Sequence, residues 1–144
     1  MTRVLVPFDG SECARRTLGR LALLSTSMKK FDALLLNVQP PPPPREFILD
    51  GRLSHVHELQ VPLREAGDKL LVEARHVLEA AGIACRAHVE FGDPAPAIAE
   101  FATSHHCDLI AMGTRGMGPV PNLLLGSVAT KVLHLAAVPV LFTR

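Results

Sequence analysis

The chain has no tryptophan and no tyrosine, and only six phenylalanines among its 144 residues. Stacking platforms for single-stranded nucleic acid are built from such rings, so their scarcity argues against that class of binder. Charge bias is lacking too: 15 basic and 14 acidic side chains leave a net charge of +1, too little for a general nucleic-acid field. The three cysteines, Cys13, Cys85 and Cys107, are odd in number and form no C-x-x-C pair. A disulfide framework is therefore not expected, and a reduced, cytoplasmic setting is. No apolar run approaches the roughly 20 residues that a bilayer-spanning helix needs, so no membrane partner is expected. A strand-like pattern begins within a few residues of Met1, so a signal peptide is not expected.

What is present is a packed-domain composition, 48% hydrophobic and 20% charged. That is enough apolar material for one domain over residues 1–144. The order of patterns is regular. Val4 to Phe8 is a short apolar run with Pro7 near its end, where a missing ladder donor is tolerated. Ser11 is placed to cap a helix carrying Ala14, Leu18, Leu21, Ala22 and Ser25 on one stripe. Asp32 to Val38 reads as a second buried strand, followed by Gln39 and five prolines, Pro40 to Pro44. Residues 40–61 are expected to form a long proline-rich loop. Pro62 suits the first position of the next helix, whose apolar face is Leu63, Ala66, Leu70, Ala74, Val77, Leu78 and Ala81. Ala84 to Phe91 alternates and reads as an edge strand. Asp93 and Pro94 open a helix lined by Ala97, Ile98, Phe101 and Ala102, and Cys107 to Met112 is a fourth strand. Val128, Val132, Leu135 and Ala136 form the stripe of the last helix, and Val138 to Phe142 is a fifth strand. Strand–helix alternation of this kind predicts an α/β doubly wound parallel sheet with helices on both faces.

The stretch GTRGMGPVPNLLLGS, Gly113 to Ser127, joins a buried strand to a helix. Glycines let backbone N–H groups face a ligand, and a helix N-terminus adds unpaired donors, so the stretch suits a phosphate. A plain tight turn is the alternative. Asp9 likewise reads either as a ligand residue or as a turn residue, and Ser127 as a helix cap in either case. Cys13 reads chiefly as a small packing residue. His55 with His57, and His105-His106-Cys107, are local groups without a second ligand pair at a zinc spacing. Several enzyme signatures are missing: the Walker GK[ST], the G-x-S-x-G elbow, and any recognisable nucleophile or acid–base pair.

At the glycine loop the chain resembles the universal stress protein family. The family motif is G-x-x-G, nine residues, then G-S or G-T, and Gly113, Gly116, Gly126 and Ser127 match it. The opening strand into Asp9-Gly10-Ser11, the Gly92-Asp93-Pro94 turn, Asp108-Leu109-Ile110 and Val138-Pro139-Val140 agree as well. The resemblance implies five parallel strands in the order 3-2-1-4-5, with the reversal between the strands ending at Asp9 and Gly113. It also implies a site: Pro7 and Asp9 beside the adenosine, the backbone of Val38 at the adenine edge, and Met112 and Gly113 beneath the nucleoside. Arg115, Gly116, Gly126, Ser127 and Val128 would surround the phosphates, with Mg²⁺ or Mn²⁺ held through phosphate oxygens and water. The expected ligand is ATP or a related adenine nucleotide (AMP or ADP), and the expected assembly a homodimer paired through the final strand. Pro119 and Pro121 depart from a donor-rich loop, and Arg115 is the one basic residue there. The expected function is a nucleotide-binding stress-response regulator with little or no catalysis. A nucleotide-independent homodimeric interaction protein and a slow ATPase are the alternatives.

Overall fold

The computed structural model describes residues 1–27, 29–40, 53–115 and 124–144, with side chains from residue 60 onward in the second helix. The elements are β1 (Thr2–Pro7), α1 (Glu12–Ser25), β2 (Phe31–Gln39), α2 (Leu53–Ala80), β3 (Cys85–Phe91), α3 (Pro94–Ser104), β4 (Leu109–Gly113), α4 (Ser127–Leu135) and β5 (Val140–Thr143). All strand pairs are parallel and the sheet order is β3-β2-β1-β4-β5, as expected. β3 is an edge strand, in keeping with its alternating polarity.

Alternation along the central strands feeds two cores. Val4 and Val6 of β1, with Ala33 and Leu35 of β2, meet Ala14, Leu18 and Leu21 of α1 and Leu71, Ala74 and Leu78 of α2. Leu5, Leu34 and Leu36 point the other way, onto Ile98, Phe101 and Ala102 of α3 and Ala129 and Val132 of α4. A side chain as fully buried as Leu5 or Leu35 contributes about 1.5–3 kcal/mol relative to exposure.

Three expectations are corrected. Helix α2 begins at Leu53, so the loop is shorter than 40–61 and Pro62 lies inside the helix. The proline gives up one helical N–H there, which the rest of a 28-residue helix tolerates. Leu53, Val56, Leu59 and Leu63 recur at helical spacing, a signal that carries the helix across the proline. The buried line of α2 is Gly67, Leu71, Ala74 and Leu78, while Ala66 and Val77 are exposed. In α4, Leu135 is exposed and Ala129 is buried with Val132, because the sheet meets the helix at its first two turns.

Candidate functional site

The strand order reverses at β1, which has β2 on one side and β4 on the other. Its pairing with β2 runs from Thr2 to Pro7. Its pairing with β4 covers Val4 with Leu109 and Leu5 with Ile110. Beyond those pairs the carboxyl end of β1 stays with β2, and the Phe8 N–H donates to the Leu36 carbonyl at 2.8 Å. A crevice therefore opens between the ends of β1 and β4, where open α/β sheets bind ligands.

The crevice holds about 620 Å³ of empty space, open solvent included. Pro7, Asp9, Val38, Met112, Gly113, Arg115 and Val128 all line it. Gly126 and Ser127 stand at the start of α4 without lining it, and Gly116 lies outside the described residues. Phe8, Ser11, Ala14, Leu36, Pro94, Ile98 and Ala129 complete the lining and were not read as site residues from the sequence. Ser11 was read only as a helix cap; the others have apolar side chains that read as core, so no sequence signal marks them as site residues. Among the described residues, Asp9 and Arg115 are the charged groups of the lining. The volume and the mostly apolar wall suit a small molecule with a flat apolar part.

The first wall is the turn after β1. The Asp9 carboxylate accepts the Ser11 N–H at 2.9 Å, an Asx turn, while the residue itself stays exposed. Gly10 has φ +78, and a Cβ there would come within 2.8 Å of Leu70 on α2. Ser11 is buried, and its hydroxyl accepts the Ala14 N–H at 3.1 Å, the cap predicted for α1. Behind this wall Asn37 is buried at the end of β2. Its Nδ2 donates to the Phe8 carbonyl at 2.8 Å and its Oδ1 accepts from Gln39 Nε2 at 2.6 Å. Sequence reading passed over Asn37; a lone amide closing a leucine run was the available signal.

The second wall follows β4. The Thr114 N–H donates to the Thr143 carbonyl at 3.0 Å, and the Thr114 carbonyl accepts the Gly126 N–H at 2.6 Å. Thus both ends of the loop are pinned although residues 116–123 lie outside the description. The N-cap of α4 is Gly126, not Ser127, which is the first helical residue. A glycine cap has no side chain to offer the first-turn N–H groups, so they keep their donor capacity. Gly113 lines the crevice and also has a packing role. A Cβ there would meet Cys13 Sγ at 2.6 Å and the Cys13 backbone carbon at 3.2 Å. This glycine lets α1 close onto the end of β4, and Cys13 is the buried packing partner.

Asp93 stands at the N-cap of α3 with Pro94 behind it, but its side chain makes no capping bond. His105 stacks on Phe101 with centroids 3.7 Å apart, and His88 meets the same ring edge-on at 5.1 Å. Burial, then the neighbouring His105, hold the His88 imidazolium pKa below its ordinary value. His106 adopts φ 52 on the surface, and the side chains of His55 and His57 lie outside the described residues. Among the described residues no three His, Cys, Asp or Glu side chains group as metal ligands. Burial pushes the Cys85 and Cys107 thiols above their ordinary pKa. No described helix is long and apolar enough to cross a membrane.

Comparison with known proteins gives the same picture along the whole chain. The model of the universal stress protein family matches residues 1–144. A universal stress protein of Methanocaldococcus jannaschii, MJ0531, is 31% identical over 150 residues, covering 99% of this chain and 81% of its own. The solved structure of MJ0577, a hypothetical protein whose biochemical function was assigned from structure, superposes with a TM-score of 0.84 at 27% identity, covering 99% of this chain and 94% of that one. A family protein from Arabidopsis thaliana with AMP bound gives a TM-score of 0.69 at 22% identity, covering 99% and 90%. One from Archaeoglobus fulgidus in complex with dAMP gives 0.68 at 19% identity, covering 100% and 98%.

Proposed function

Because the chain belongs to the universal stress protein family, we propose that it binds an adenine nucleotide, ATP or its AMP and ADP relatives, in the crevice between β1 and β4. The observation that carries this reading is the convergence of two loops. The turn at Pro7–Asp9 is far in sequence from Met112, Gly113, Arg115 and Val128, and all of them line one crevice at the switch point. The complexes of the Arabidopsis protein with AMP and the Archaeoglobus protein with dAMP support the choice of an adenine nucleotide.

In this reading the base lies on the apolar floor near Val38 and Met112. Asp9 accepts from a ribose hydroxyl through the carboxylate oxygen that the Asx turn leaves over. The phosphates lie toward Arg115, Gly116 and the start of α4, where a helix N-terminus with a glycine cap and a guanidinium both favour anions. Among the described residues no donor set forms a cage for a metal, and Mg²⁺ or Mn²⁺ would travel on the phosphates. The protein acts as a cytoplasmic homodimeric regulator in the stress response, paired through β5. Nucleotide biases it between states by differential affinity rather than by turnover.

Titration calorimetry with ATP and with AMP, on wild type and Asp9→Asn, tests the site. Asparagine keeps the acceptor for the Ser11 N–H and loses the charge facing the ribose. A weakening of about fivefold is expected, the difference between a charged and a neutral acceptor. Absence of any binding by the wild type would overturn the proposal and favour a nucleotide-independent interaction protein.

A further inference from the structure

A second hollow adjoins the crevice, and we infer that it is a phosphoryl-binding subsite built from arginines of three separate segments. It is lined by Cys13, Arg16, Thr114, Arg115, Leu124 and Arg144, with about 580 Å³ of empty space including open solvent. Arg16 comes from α1, Arg115 from the segment leaving β4, and Arg144 from the residue after β5. Arg115 lines both spaces and stands between them.

The chemistry of the two spaces is complementary. The crevice is mostly apolar and carries the Asp9 carboxylate, which repels phosphate. Among the described residues that line it, the hollow has no carboxylate side chain. The acidic group nearest in the ion-pair pattern is Glu12, which reaches Arg16 at 3.9 Å with both side chains well exposed. A pair that long and wet leaves the guanidinium available to a better anion. Thr114 is held by its backbone to Thr143 and Gly126, so its position is rigid. Its hydroxyl meets the Cys13 thiol only at 4.0 Å, a weak contact that leaves its donor capacity for a ligand. Guanidinium forks match phosphoryl oxygens in pairs, which a single lysine cannot do. A phosphoryl group here has two sources: the distal phosphates of a nucleotide seated in the crevice, or a free inorganic polyphosphate. The first source rests on the nucleotide reading above; the second does not.

The experiment is calorimetry of AMP, ATP and inorganic pyrophosphate against wild type and the double variant Arg16→Gln/Arg144→Gln. Lys29→Gln/Lys30→Gln, at the amino end of the sheet, removes the same charge far from the hollow. Both arginines are exposed, so the variant is expected to fold, and its melting curve checks this. If the phosphates come from the nucleotide, the arginine variant binds AMP as before and ATP about tenfold more weakly, while the lysine variant matches wild type. If wild type binds pyrophosphate but no nucleotide, and the arginine variant loses pyrophosphate, the subsite stands with a free anion and the nucleotide reading falls. The subsite is overturned if the arginine variant binds ATP and pyrophosphate as wild type does. It is also overturned if both variants weaken ATP equally, or if wild type binds neither ATP nor pyrophosphate.

Discussion

The two walls of the crevice use glycine for different reasons. In the turn after β1, Gly10 supplies a backbone conformation, φ +78, that other residues adopt at a cost. In the segment after β4, Gly113 supplies space, because Cys13 occupies the place of a side chain. The helices behind the walls differ in the same manner. The N-terminus of α1 is closed by the Ser11 hydroxyl, whereas the N-cap of α4, Gly126, makes no side-chain capping bond. One helix start is capped by a side chain, and the other has a cap residue with no side chain to offer. A motif glycine is thus not by itself evidence of ligand contact.

Gly113→Val should produce the largest effect. The added Cβ meets Cys13 at distances that real side chains do not tolerate, and a loss of about 3 kcal/mol is expected by urea unfolding. In a Cys13→Ala background part of that loss should return, since the 2.6 Å contact is with Sγ. A Gly113→Val protein as stable as wild type would break the comparison and place this glycine at the ligand instead. Gly10→Ala should cost about 1–2 kcal/mol through the left-handed backbone. The contact with Leu70 is with the far end of a flexible side chain, so Leu70→Ala should recover little of it. Full recovery in the double variant would make Gly10 a space-filling glycine like Gly113.

The caps give the next step down. Ser11→Ala should cost about 1 kcal/mol of stability without ligand, and Ser127→Ala only a few tenths, because Ser127 is not the cap. Equal losses would show that α4 is capped after all. The smallest effect concerns the brace between α1 and α2 behind the first wall. Arg15 Nε donates to Glu73 Oε1 at 2.6 Å, and this bond holds the Glu73 carboxyl below its ordinary pKa. A depressed folded-state pKa contributes stability above the unfolded value, lost as pH falls through the folded one. The melting temperature of wild type should therefore exceed that of Glu73→Gln slightly at neutral pH. The gap should close below about pH 4. A gap that persists in acid would assign the difference to packing rather than charge.

Much of the architecture was legible because each element carries its own period. The short apolar run Ala33 to Leu36, ahead of Asn37, reads as a strand buried on both faces, and Ser11 ahead of an apolar stripe marks a helix start. Pro62 misled because proline is common at a helix start, and a single residue cannot say on which side the helix extends. The face of α2 was displaced onto Ala66 and Val77 because several neighbouring stripes on one helix are almost equally apolar. The sheet selects among them, and it takes the stripe in which Gly67 lets the helix approach Asn37 and Val89.

By itself the sequence determined the strand–helix alternation, the parallel sheet, and the two loops whose residues line the crevice. Those follow from local periodicity and turn chemistry, which act over a few residues. The tertiary structure alone decided where β1 and β4 part, which way the missing side chain of Gly113 would point, and that Arg16, Arg115 and Arg144 meet in one hollow. These are contacts between distant segments, such as Cys13 and Thr114 at a separation of 101 residues. No local pattern encodes them, because they are set by how two sheets of side chains pack across the whole domain.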